Sequence, residues 1–135
     1  MARRAARAAA LQMIYENLLG GDGGEETLLD LIEFQPEEDD QAFIERIVEG
    51  VKNCAAELDG EIASYLSGWT IERIAKVDLS ILRLAVWELK NEKEIDPSII
   101  CDEAVALAQR YSTENSGRFV NGVLGAYIRK QNAEA

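Results

Sequence analysis

Apolar residues recur at helical spacing along most of this chain. Leu11, Ile14, Tyr15 and Leu18 share one face and predict a first helix over residues 2–19, alanine-rich at its start. Gly20-Gly21-Asp22-Gly23-Gly24 ends it in a loop. Thr27 is placed to cap a short second helix carrying Leu28, Leu29, Leu31 and Ile32. Pro36 introduces a third, whose buried side is Phe43, Ile44, Ile47, Val48 and Val51. A break at Asp59-Gly60 separates it from a segment bearing Leu58, Ile62, Tyr65 and Leu66, and residues 71–75 supply one or two turns. Asp78 reads as the N-cap of a helix that is apolar over most of its circumference from Leu79 to Leu89, the pattern of a central helix.

Asp96-Pro97 is an N-cap followed by an N1 proline, and Ile100, Ala104, Leu107, Ala108 and Tyr111 form the stripe behind it. Ser116 reads as the cap of the last helix, with Val120, Val123, Leu124 and Tyr127 on its buried face. Gly122 and Gly125 are expected to let backbones approach closely there. No segment alternates as a strand and no repeat is visible, so the chain reads as all-α, about seven helices in one domain over residues 1–135.

Composition narrows the chemistry. The absence of histidine removes His-based acid–base catalysis, and two distant cysteines, Cys54 and Cys101, leave no zinc set. They are expected to be reduced and buried. With no nucleophile elbow, P-loop or dinucleotide fingerprint, neither an enzyme nor a cofactor is expected. No apolar run approaches the roughly 20 residues of a membrane span, and the start lacks a signal-peptide core, so a cytoplasmic protein is expected.

A net charge of −11 argues against nucleic acid until its distribution is considered. Residues 20–49 hold eleven acids against Arg46 alone, whereas residues 1–19 are net +2 and residues 50–135 net −3. Charges further apart than about 8 Å are largely screened at physiological salt, so a locally basic RNA site on this acidic chain is permitted. The acidic block is either a solvated face or a region that steers a basic partner.

Arg3, Arg4 and Arg7 fall on the arc of the first helix that also holds Leu11, Ile14 and Leu18. Either the helix overhangs the core and presents them to a partner, or its first turns fray. Arg118 and Phe119 sit at the start of the last helix, where free amides and a positive dipole end favour phosphate. There Phe119 either stacks on a base or packs in the core. Tyr15 and Tyr65 read as residues at the edge of the core, with ligand contact as the alternative, and Arg83, on the apolar helix, requires a carboxylate partner if buried.

Four segments occur in order: Arg3-Arg4-Ala5-Ala6-Arg7 with Leu11-Gln12 and Tyr15; Ile81-Leu82-Arg83-Leu84-Ala85-Val86-Trp87-Glu88-Leu89; Asp102-Glu103-Ala104-Val105-Ala106-Leu107-Ala108; and Asn115-Ser116-Gly117-Arg118-Phe119-Val120-Asn121-Gly122-Val123-Leu124. Together, up to about Ile128, they resemble the NusB family of transcription antitermination factors. The resemblance implies two small packed helical bundles and an RNA-binding surface that includes Arg3, Arg4, Arg7, Arg118 and Phe119. It also implies that the region of Asp78 faces NusE, a ribosomal small-subunit protein. The implied activity is binding single-stranded boxA RNA of ribosomal RNA leaders with NusE, within an antitermination complex on RNA polymerase. The position of Asn115 is often acidic in such proteins, and its neutrality here removes a repulsion toward phosphate. The competing expectation is a self-associating helical module whose homodimer hides the arginines. With seven residues after Ile128, a fused RNA methyltransferase is not expected.

Overall fold

The computed structural model describes residues 3–20 and 38–134, with side chains for 4–20 and 40–134. Five helices occur among these residues: α1 (Arg3–Leu18), α2 (Glu38–Ala63), α3 (Lys76–Asn91), α4 (Pro97–Tyr111) and α5 (Ser116–Glu134). The expected short helix after Thr27, the glycine loop beyond Gly20 and Pro36 lie outside the described residues.

The apolar α3 packs against each of the other four helices. It is shared by two groups, one formed with α1 and α2 and the other with α4 and α5. That position explains its composition: Leu79, Ile81, Leu82, Leu84 and Val86 are all essentially inaccessible, and a helix enclosed on most sides has no face to give to water. Phe43, Ile47, Leu58 and Ile62 of α2 and Leu124 of α5 complete the centre of the core.

Several local expectations are corrected. The helix does not break at Asp59-Gly60; α2 runs through it to Ala63. A mid-helix glycine costs about 1 kcal/mol relative to alanine. Leu58 and Ile62 on either side are fully buried, each worth about 1.5–3 kcal/mol. Asp59 is also clamped by Arg83 of α3 at 2.7 and 2.6 Å, the internal carboxylate contact expected for that arginine. Continuity therefore wins. α3 begins at Lys76 with Ala75 at its cap, so Asp78 is its third residue and not its cap. At α4 the Asp96 carboxylate does accept from the Ser98 amide at 2.9 Å, with Pro97 behind it, and this bond holds its pKa below the usual carboxylate value.

The close backbone approaches are not where the last helix suggested. A Cβ on Gly122 would meet nothing within 4 Å, and one on Gly125 only an arginine terminus. The tight positions are Gly50 of α2, where a Cβ would collide with the Trp87 indole, and Gly117, against Gln109 at 3.0 Å. Both cysteines are free thiols; Cys101 is buried and Cys54 half-buried.

Candidate nucleic-acid interface

Between α2 and α3 the chain turns through Gly68, whose φ of +78° lies in the left-handed region that favours glycine. The turn leaves the next residue, Trp69, 54% exposed. Indole this open in a short connection lacks the burial that usually holds a tryptophan. Trp69 lines one part of a groove of about 380 Å³, together with Arg73 and Ile74; Asn115, Ser116 and Phe119 line the part belonging to the α4–α5 junction.

A buried carboxylate joins the two parts. Asp78 is 7% exposed and accepts from the Ser112 hydroxyl at 2.6 Å and the Ser116 hydroxyl at 3.0 Å. Ser116 Oγ in turn accepts from the Thr113 amide at 3.2 Å. The Ser116 hydroxyl is thus spent on Asp78 and the preceding loop, and Ser116 is the first residue of α5 rather than its side-chain cap. The Phe119 amide instead donates to the Asn115 carbonyl at 3.1 Å, which closes the first turn. This network pins the α4–α5 connection to α3 and so fixes Phe119 in the groove wall.

Phe119 itself is half-buried: its ring packs on the core and also lines the groove. The ring is therefore neither enclosed in the core nor free of it. Arg118 is exposed and pairs with no carboxylate among the described residues. Asp78, the residue expected to face a protein partner, lines the groove floor with its carboxylate held by these hydroxyls.

The three N-terminal arginines separate. The side chain of Arg3 lies outside the described residues. Arg4 is exposed and forms a two-pronged pair with Glu103 of α4 at 3.0 and 2.7 Å. That bond holds the Glu103 carboxyl below its usual pKa. Arg7 corrects the expectation of an overhanging or frayed helix start. Only 4% exposed, it donates to Glu88 of α3 at 2.8 and 2.9 Å, with its guanidinium carbon 5.7 Å from the Phe43 ring centroid. The arc shared with Leu11 and Ile14 was the sign: the stripe continues inward, and Glu88 supplies the charge it needs.

Trp69 and Arg73 were not singled out from the sequence, because neither belongs to a periodic stripe. The available signal was a tryptophan flanked by Gly68 and Thr70 between two helices. No helix among the described residues is long and apolar enough to cross a membrane.

The NusB family model matches residues 4–129. The transcription antitermination protein NusB of Clostridium botulinum (strain Loch Maree / Type A3) is 39% identical over 141 residues, covering 95% of this chain and 100% of that protein. Its counterpart in Acetivibrio thermocellus is 40% identical over 130 residues, 96% of this chain and 90% of the relative. Among solved structures, NusB of T. maritima superposes with a TM-score of 0.83 at 33% identity, over 98% of this chain and 97% of that one. A crystal structure of the antitermination factors NusB and NusE in complex with dsRNA gives a TM-score of 0.80 at 30% identity, over 95% and 96%. With the fold, the ordered segments and the near-complete coverage in agreement, this chain belongs to the NusB family.

Proposed function

We propose that this chain is an RNA-binding transcription antitermination factor of the cytoplasm. With NusE it binds boxA RNA of ribosomal RNA leader transcripts and joins an antitermination complex on RNA polymerase. The observation that carries this reading is its likeness, along nearly its whole length, to a NusB structure solved with NusE and RNA. The reading needs no catalysis.

The groove gives the reading a physical site. Trp69 and Phe119 offer two aromatic surfaces, and base–aromatic stacking is worth about 1–3 kcal/mol per base. Arg73 and Arg118 are exposed cations beside them, suited to phosphate. Arg4 adds a further cation on α1. Asp78 acts through the loop it holds, by keeping Phe119 in place.

Phe119→Ala, Phe119→Trp and Trp69→Ala, each measured by RNA titration and by denaturation, test the site. Stacking is supported if the alanine variants lose affinity by the equivalent of about 1–3 kcal/mol while Phe119→Trp keeps most of it. Parental RNA affinity in both folded alanine variants refutes the groove as the RNA site. Size-exclusion mass with and without RNA covers the competing homodimer: a stable dimer that excludes RNA would replace this reading.

A further inference from the structure

Another groove, of about 460 Å³, opens where the connection from α3 to α4 passes the early part of α2. It shares no lining residue with the Trp69–Phe119 groove. The two lie toward opposite ends of α3: Asp78 borders one and Glu92 the other, about 21 Å apart along a helix axis at 1.5 Å per residue. Phe43 forms an apolar floor, Ile95 is half-buried beside it, and Ile99 on the first turn of α4 is 45% exposed. The slot is preformed. Asp96 caps α4, Pro97 follows it, and the Ile99 amide donates to the Asp96 carbonyl at 2.9 Å.

Charge selects what this slot can hold. Four carboxylates and two guanidiniums line it, and both guanidiniums are committed, Arg7 to Glu88 and Arg46 to Glu92. Glu103 is taken by Arg4. The carboxylates of Glu94 and Asp96 remain, exposed and without an ion pair among the described residues. The bonds from Ser98 lower the Asp96 pKa and so keep it ionised. A phosphate would be repelled here, and a second copy of a chain of net charge −11 would be opposed as well. Arg46 displays the group that this wall accepts: it pairs with Glu92 while its guanidinium carbon lies 5.5 Å from the Phe43 ring centroid.

We propose that this groove docks a basic segment of a partner protein, with one apolar side chain entering between Ile95 and Ile99 and flanking Lys or Arg side chains pairing with Glu94 and Asp96. The apolar contact supplies most of the affinity, and the two carboxylates select the sign of the partner and speed its approach. The docking surface is independent of the RNA-binding reading and stands apart from the Asp78 region expected to face NusE.

The test uses two capped peptides of equal charge, Lys-Arg-Leu-Arg-Lys and the same peptide with serine in place of leucine. Each is titrated into the full-length parent, Ile99→Ser and Glu94→Gln/Asp96→Asn, followed by backbone amide shifts, with denaturation of every variant. The leucine peptide should shift the amides of Ile95 and Ile99 and bind the parent at least about fivefold more tightly than the serine peptide. In Ile99→Ser that preference should fall below about twofold, because the two apolar partners are coupled. Glu94→Gln/Asp96→Asn should weaken both peptides several-fold while folding normally, since asparagine also caps a helix. Equal binding of the two peptides by the parent would mean that only the acidic surface attracts them, and it overturns the proposal. So does a preference for leucine that survives in Ile99→Ser, or shifts centred outside this groove. A parent whose mass doubles with concentration, and whose doubling Ile99→Ser abolishes, would assign the face to a second copy and likewise overturn it.

Discussion

Arg4 and Arg7 lie one helical turn apart on α1, and two carboxylates give them different tasks. Arg7 and Glu88 form a buried pair, and removing one partner of such a pair costs about 3–5 kcal/mol because the other charge is left without compensation. Arg7→Ala is therefore expected to lower denaturation stability by about that amount, whereas Arg7→Met/Glu88→Leu should recover much of it. Arg4→Ala should leave the denaturation curve close to the parent's and show its effect in RNA titration. Equal stability losses for Arg4→Ala and Arg7→Ala would contradict this division. The sequence carried half of the distinction: the arc of Arg7 matched the core stripe, but the depth of that arc depends on Glu88, 81 residues further along. A second residue has a pH signature. Burial, with the nearby Glu61, pushes the Tyr127 hydroxyl from 10.0 up to about 12. A raised folded pKa means stability that is complete below pH 10 and lost as pH rises through about 12. Alkaline denaturation followed by tyrosinate absorbance should contain this component in the parent and lack it in Tyr127→Phe.

At the scale of helices, glycine shows where propensity yields to packing. The Gly50 position faces the Trp87 indole with no space for a methyl group. Gly50→Ala is expected to cost about 1–3 kcal/mol by overpacking, despite alanine's better helix propensity. Gly122 is exposed on α5 with open space around it, so Gly122→Ala should stabilise by roughly 0.4–1 kcal/mol. Thermal melts of both variants check the pair, and the same sign for both would contradict the packing described. Helix type and buried faces were legible because periodicity over ten or more residues is a strong signal. The ends were less so. Asp78 resembles a cap in sequence, yet it serves as an acceptor for Ser112 and Ser116, contacts that span 34 and 38 residues.

For the molecule as a whole, α3 joins the two helical groups, and the candidate site forms where its N-terminal approach meets the α4–α5 junction. The ordered motifs made the family recognisable, and Phe119, singled out from its place at the start of the last helix, lines the groove. Trp69 was not, because its role depends on a turn at Gly68 that brings the indole to the groove across a gap of 50 residues from Phe119. The functional account joins RNA binding to NusE binding, and linkage makes that joint claim quantitative: whatever factor NusE adds to RNA affinity, RNA must add to NusE affinity. The most direct measurement is a titration of boxA-type leader RNA into the protein with and without saturating NusE, paired with the reciprocal titration of NusE with and without RNA. The account expects RNA to bind the parent, NusE to tighten that binding, and RNA to tighten NusE binding by the same factor. Absence of RNA binding under both conditions, or an RNA affinity that NusE leaves unchanged, would contradict it.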